Sequence, residues 1–380
     1  MKIAIVYDWI DKWGGAERVL LSLAELYPHA DFYTSYYDPK EAPWAAQLKL
    51  KISFIQELPD FIKRNRVFSL PFYPFAFESM DFSAYDLVIT ITSSFAKSII
   101  TKPGTIHICY MLTPTRFLWD QPDLYSSELI RTIAKPYSNY LKAWDYISAQ
   151  RPEHIISISN FDKQNIKKYY DRDSTVIYPP FDTNYWSNLP LPTSPPPAPP
   201  IAQSSPSPPH PYYLVVSRLE PYKKIDLIVR CIEYSNKKLI IVGKGSELAK
   251  LKALAVGKNI VFLSDVSDEQ LADLYLNARA LIMPQKEEFG YTALEAQYFG
   301  CPVISFKEGG AIETIIDEKT GMFFDAQTSE SLAAALEKFE TVYYTLSESA
   351  KIEGPKNVAK FDSNRFKKQF TDYIESKLPS

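Results

Sequence analysis

The chain is poor in the residues that hold metals and disulfides, and it lacks any run that would hold it in a bilayer. Its three cysteines, Cys109, Cys231 and Cys301, are scattered over 380 residues. Each lies in or beside an apolar run, the usage of buried, reduced thiols. No cysteine or histidine spacing matches a zinc site, and the four histidines are far apart. No apolar run approaches the ~20 residues needed to span a bilayer. Met1 leads directly into an apolar strand, so no signal peptide is expected and the protein is read as cytoplasmic. A net charge of −3 gives no electrostatic ground for a nucleic-acid partner.

What the chain does have is alternation. Short apolar, β-rich runs are separated by helical patterns from end to end. In the first half they are Ile3 to Tyr7, Leu87 to Thr92, Ile106 to Leu112, His154 to Ile158 and Thr175 to Tyr178. In the second half they are Tyr213 to Val216, Leu239 to Val242, Ile260 to Leu263, Ala280 to Met283, Val303 to Phe306 and Met322 to Phe324. Continuous apolar strands between helices imply parallel sheets covered on both faces, and two such sets imply two doubly wound α/β domains. Between the sets, Pro190 to Pro211 is dense in Pro, Ser and Ala. Such a tract packs no core, and it reads as an extended, solvated linker. The expected domains are residues 1–187, the linker 188–211, residues 212–358, and a terminal helix within 359–380. That helix, Ser363 to Leu378, has Phe366, Phe370 and Tyr373 on one face.

The motif richest in chemistry is Glu287-Glu288-Phe289-Gly290-Tyr291-Thr292-Ala293-Leu294-Glu295. Glu287 falls on the loop past the strand Ala280 to Met283, and Glu295 falls in the next helix, read as Thr292 to Phe299 and closed by Gly300. A helix start on such a loop is an anion site, with the amides of Phe289, Gly290, Tyr291 and Thr292 available to it. Carboxylates flanking an anion site suit a ligand with hydroxyl-rich groups on either side of its charge, because carboxylates accept strong hydrogen bonds from hydroxyls. A nucleotide sugar has that form. Arg218 and Lys223 follow the strand Tyr213 to Val216, where two cations could converge on one diphosphate. Lys224 and Glu288, adjacent to Lys223 and Glu287, are the alternatives. Gly243 and Gly245 follow another strand, and Gly14 and Gly15 stand between the first strand and its helix, where glycine permits close approach of backbone to a ligand.

Arg218 and Lys223, then Gly243-Lys244-Gly245, then Glu287 to Glu295 resemble glycosyltransferase family 4, the retaining sugar transferases of GT-B fold. Gly14-Gly15-Ala16-Glu17-Arg18 is similar to that family's Gly-rich loop. The resemblance runs over nearly the whole chain except the proline tract. It is nearest to the mannosyltransferases that build bacterial O-antigens and other surface polysaccharides, through Tyr110 to Asp120 and Ser157-Ile158-Ser159-Asn160-Phe161. It implies two Rossmann-like domains with an interdomain cleft and a last helix that crosses back to the first domain. It also implies hexosyl transfer from a nucleotide sugar, with GDP-mannose favoured and a UDP-sugar next, to a glycan or lipid-linked acceptor. Carried over residue by residue, Glu287, Arg218 and Lys223 form the catalytic set, with Glu287 at the donor sugar. Glu295 grips the ribose. Gly14, Gly15, Gly243, Gly245, Val266, Phe289, Gly290 and Tyr291 complete the donor site, and Thr113, Arg116 and Asp120 face the acceptor. No metal and no cofactor are implied, since cations and helix-start amides can offset the diphosphate charge.

Many relatives carry histidine where Leu112 stands, and leucine can neither hydrogen-bond nor shuttle a proton. His107, earlier in that strand, reads as a plain strand-start histidine. Ser159 reads as a helix N-cap. Residues 62–75 mix cations with aromatics, which suits an edge lying on an anionic lipid surface, the inner face of a membrane. Two other functions fit the same motifs less well: a nucleotide-sugar epimerase of the same fold and a non-catalytic nucleotide-sugar-binding subunit.

Overall fold

The computed structural model describes residues 1–120, 128–190, 212–232 and 237–378. The proline tract beyond Pro190 lies outside these residues. The chain divides into unit 1, Met1–Pro180 with Ser363–Ser380, and unit 2, Phe181–Asp362.

Unit 1 is built on seven strands: β1 (Ile3–Tyr7), β2 (Asp31–Thr34), β3 (Leu50–Ile52), β4 (Leu87–Thr92), β5 (Ile106–Met111), β6 (His154–Ser157) and β7 (Thr175–Val176). All neighbours pair in parallel, in the order β3-β2-β1-β4-β5-β6-β7. Every residue of β4 is buried, as the continuous apolar run predicts. Strands β2 and β3 are not in the sequence reading. β2 begins on a buried acid, Asp31, whose charge is held by Lys49 at 2.5 Å, Lys51 at 3.2 Å and the Tyr85 hydroxyl at 2.5 Å. These partners hold its pKa well below the usual carboxylate range. β3 is a three-residue edge strand whose Lys51 and Ile52 are exposed, so it shows no apolar run.

Unit 2 carries β8 (Tyr212–Val216), β9 (Lys238–Val242), β10 (Ile260–Leu263), β11 (Ala278–Met283), β12 (Val303–Phe306) and β13 (Gly321–Phe324). They too are all parallel, in the order β10-β9-β8-β11-β12-β13. Each sheet therefore reverses its winding once, between β1 and β4 in unit 1 and between β8 and β11 in unit 2. Loops leaving the carboxyl ends of two such strands diverge and leave a crevice, where doubly wound sheets bind ligands.

The units change hands earlier than the sequence suggests. Residues 181–187 belong to unit 2, because Phe181 N donates to Phe361 O at 2.8 Å and the Trp186 ring meets Phe299 edge-on at 5.6 Å. The terminal helix, Ser363–Glu375, belongs to unit 1. It buries Phe366, Phe370 and Ile374, at the i, i+4, i+8 spacing of one helical face, against Tyr110 among others. Ile374, and not Tyr373, completes that face, since Tyr373 stays half-exposed. The three cysteines are free and buried, and burial pushes the Cys109 thiol up to about 11 and the Cys301 thiol up to about 12. No helix among the described residues is long and apolar enough to cross a membrane.

Candidate functional site

In unit 2 the two loops at the winding reversal meet through a charged pair. Past β8, Pro221–Lys223 makes one tight turn, and Lys224 in the left-handed region at φ 52° swings the chain into the helix Ile225–Cys231. This turns Lys223 inward, where it is only 6 % exposed, and leaves Lys224 half-exposed. Lys223 Nζ forms an ion pair with Glu287 Oε1 on the loop past β11. Arg218 remains exposed on the same β8 loop. Lys223 Nζ and the Arg218 guanidinium stand 5.2 and 6.0 Å from the centre of the Tyr222 ring. Of the three residues expected to form the catalytic set, the structure joins Lys223 to Glu287 directly and places Arg218 near the same Tyr222 ring that Lys223 approaches.

The acid loop is held from its far side by residues the sequence reading does not single out. Gly310 N donates to Glu287 O at 2.7 Å, Gln327 Nε2 to Pro284 O at 2.9 Å, and Lys286 pairs with Glu308 at 2.8 Å. Gly309 lies at φ +79°, and a Cβ there would stand 2.2 Å from Glu287 O. A Cβ on Gly310 would stand 2.3 Å from Glu288 O. No side chain fits at either position, so a glycine pair just past β12 is the one sequence signal that could have revealed this support. Gln285 is 1 % exposed, and its Nε2 donates to Glu287 Oε1 at 2.9 Å.

Gly290 caps the following helix, Tyr291–Tyr298, at φ +88°. That helix starts one residue before the sequence predicts, and Gly300 follows it at φ +71°. Glu295 is buried within it and accepts from the Tyr275 hydroxyl at 2.9 Å. Phe289 is buried, with its ring against Tyr291 at 5.2 Å and Phe361 at 5.5 Å, so its side chain is part of the packing beneath the loop. Gly243 and Gly245, at φ +148° and +159°, press on the β8 loop: a Cβ would meet Ser217 O at 1.9 Å and Leu219 O at 2.2 Å respectively. Their need for glycine thus follows from loop-on-loop contact. Val266 is half-buried beside Asp265, which pairs with Lys244.

Unit 1 presents a different arrangement at its own reversal point. Asp8, at the end of β1 and 1 % exposed, accepts from Thr92 Oγ1 at 2.9 Å and from the amides of Ser93, Phe95 and Ala96 at 2.7, 2.8 and 2.7 Å. Gly14 and Gly15 begin the helix Gly15–Leu26. Gly14 has extended backbone that any residue adopts; what constrains it is Glu17, whose Oε2 would lie 3.1 Å from a Cβ. Glu17 is buried, accepts from the Tyr7 hydroxyl at 2.8 Å, and has its pKa raised by burial. Thr113, Arg116 and Asp120 are half-buried around a one-turn helix, Arg116–Trp119. That turn is anchored by Asp145, which accepts from Thr115 Oγ1 at 2.8 Å and Trp119 Nε1 at 2.7 Å and pairs with buried Lys97 at 2.6 Å. His107 is fully buried with Thr90 Oγ1 3.0 Å from its Nε2, and burial pushes its pKa down to about 3. Ser159 does cap the helix Asn160–Tyr170, accepting from Asp162 N at 3.0 Å.

The segment 62–75 folds into short helical turns with Val67, Phe68 and Phe75 at 72, 56 and 63 % exposure. Its cations have acidic partners: Lys63 with Asp60 at 3.2 Å, Arg64 with Asp38 at 3.6 Å, and Arg66 with Asp11. The exposed apolar surface is as expected, while the positive charge is largely balanced within unit 1.

Two Rossmann-like units of parallel sheet make this a GT-B fold. Over 99 % of the chain it superposes on the whole of the Anabaena protein HepE in complex with UDP, with a TM-score of 0.69 at 18 % identity. Residues 200–354, which contain the Lys223–Glu287 site, match the family model described as glycosyl transferases group 1. The chain is 33 % identical over 134 residues to an uncharacterized glycosyltransferase of Methanocaldococcus jannaschii, covering 33 % of this chain and 34 % of that protein. It is 30 % identical over 143 residues to a GDP-mannose-dependent alpha-(1-6)-phosphatidylinositol monomannoside mannosyltransferase of Mycolicibacterium smegmatis, covering 33 % and 37 %. The chain therefore spans about a third of the length of the curated relatives it matches.

Proposed function

We propose that the protein is a retaining glycosyltransferase that moves a hexose, with mannose favoured, from a nucleotide sugar to a glycan or lipid-linked acceptor. The observation that carries this reading is the Lys223–Glu287 pair at the winding reversal of unit 2, eight residues before the buried Glu295. In this reading Arg218 and Lys223 take the diphosphate and stabilise it as it leaves. Glu287 accepts from hydroxyls of the hexose, Glu295 accepts from the ribose, and Thr113, Arg116 and Asp120 serve the acceptor. Lys223 then exchanges a carboxylate partner for a phosphate. No metal and no cofactor have a part. The mannosyltransferase relative supports GDP-mannose, and the UDP complex of HepE supports a UDP-sugar as the next choice.

The test is turnover of GDP-mannose, UDP-glucose and UDP-galactose with a mixture of glycan and lipid-linked acceptors, with and without excess chelator. Transfer that survives chelation is expected. Turnover abolished by chelation and restored by Mg²⁺ or Mn²⁺ would overturn the metal-free mechanism. Leu112 favours a second reading, a nucleotide-sugar binder without turnover, and binding with no transfer to any acceptor would select it. Release of an isomerised sugar from GDP-mannose alone would select an epimerase. A lipid-linked acceptor also gives Val67, Phe68 and Phe75 a purpose at a membrane surface. Flotation with phosphatidylglycerol vesicles should be lost in Phe68→Ser/Phe75→Ser, and unchanged flotation would remove the membrane from the proposal.

A further inference from the structure

Gln285 is a buried amide that makes one of its two kinds of hydrogen bond. Its Nε2 donates to Glu287 Oε1 at 2.9 Å, while its Oε1 is buried without a partner among the described residues. An unpaired buried carbonyl is unfavourable, and an apolar side chain of the same length would fill the space without it. The physical gain from an amide at this position therefore lies in its contact with Glu287.

Glu287 Oε1 receives two donors, Lys223 Nζ and Gln285 Nε2. Two donors on one carboxylate oxygen fix the rotation of the group and hence the direction of its other oxygen. They differ in what else they can do. Lys223 carries a charge that a diphosphate would attract, whereas the neutral amide has no such competitor. Gln285 sits two residues past β11, with Pro284 O tied to Gln327 on one side and Glu287 O tied to Gly310 on the other, so its own placement is rigid.

Resting on the transferase reading above, we propose that Gln285 is a positioning residue that keeps Glu287 aimed once Lys223 turns to the donor diphosphate. The 380-residue chain tests it through three single variants and one double variant, measured beside wild type. Gln285→Met removes the amide and keeps the length. Its kcat should fall roughly ten- to hundredfold. Its affinity for GDP and UDP by calorimetry should stay within about twofold, because Gln285 touches neither phosphate nor base in this reading. Gln285→Glu gives the signature that a merely structural role would not show. When the introduced carboxylate and that of Glu287 are both ionised they repel, and when the pair shares a proton the introduced carboxyl can donate as the amide does. The activity of Gln285→Glu relative to wild type should rise several-fold between pH 8 and pH 6, while the ratio for Gln285→Met stays flat. Glu287→Gln supplies the limit: adding Gln285→Met to it should cost little more, since both act through one carboxylate. A Gln285→Met enzyme with wild-type kcat overturns the positioning role and leaves the transferase reading standing. So does a loss of kcat matched by an equal loss of nucleotide affinity and melting temperature. A wild-type chain that transfers from no nucleotide sugar overturns both.

Discussion

The strand order reverses its winding once in each unit, and the two reversal points are furnished in opposite ways. At the reversal point of unit 1, Asp8 is taken up by its own backbone, with three amides and a hydroxyl within 2.9 Å. An acid so fully hydrogen-bonded is a staple that ties the β1 and β4 loops together. At the reversal point of unit 2, Glu287 faces Lys223 from the adjoining loop and a neutral amide from its own, and the exposed Arg218 lies nearby. Such a set can exchange partners when an anion arrives. The topology makes a winding reversal in each case, and side-chain chemistry decides whether it becomes a structural joint or a site.

Removing the staple should have the largest effect of all. Asp8→Ala leaves three amides, those of buried Phe95 and Ala96 and half-buried Ser93, without their acceptor, and unit 1 should lose on the order of 4 kcal/mol. Chemical denaturation followed by a unit 1 tryptophan checks this, and a loss below ~1 kcal/mol would erase the contrast between the two reversal points. The unit 2 acids should affect catalysis instead. Glu287→Gln should lower kcat about a hundredfold, roughly 2.7 kcal/mol of transition-state stabilisation. Glu295→Gln should raise the donor KM about tenfold with kcat nearly unchanged, as loss of uniform binding does. If both variants show wild-type constants, the pair in unit 2 is as structural as Asp8.

A smaller effect separates the units by pH. His107 is buried neutral in unit 1, its pKa pushed down to about 3, while an unfolded histidine titrates near ~6.5. Below ~6.5 the unfolded chain binds a proton that the folded one refuses, so unit 1 should lose stability as pH falls through the range between ~6.5 and about 3. The described residues of unit 2 contain no histidine. Denaturation of wild type and His107→Gln at pH 7.5 and 5.0 should show a shallower pH slope for the variant. Equal slopes would show that other groups set the acid response.

Strand periodicity and motif spacing are local properties, and both are legible in the sequence. Every strand except Asp31–Thr34 and Leu50–Ile52 appears within an apolar run, and for the central strands this follows because a strand covered on both faces must be apolar along its length. The two exceptions needed tertiary partners. Asp31 can start a buried strand only because Tyr85, 54 residues away, and two lysines of the β3 segment hold its charge. The interval from Glu287 to Glu295 is likewise written in the chain, since a strand, a loop and one helix suffice to present both acids. The meeting of Lys223 with Glu287 across 64 residues is not, because it depends on β8 and β11 lying side by side where the winding reverses. The sequence shows Gly309 and Gly310 as a pair without saying which loop they hold, and it does not show that Asp8 is spent on backbone amides. A carboxylate followed by a loop looks the same in one dimension whether its lone pairs end on amides or on an ammonium. Only the packed sheets bring the donors that distinguish a staple from a site.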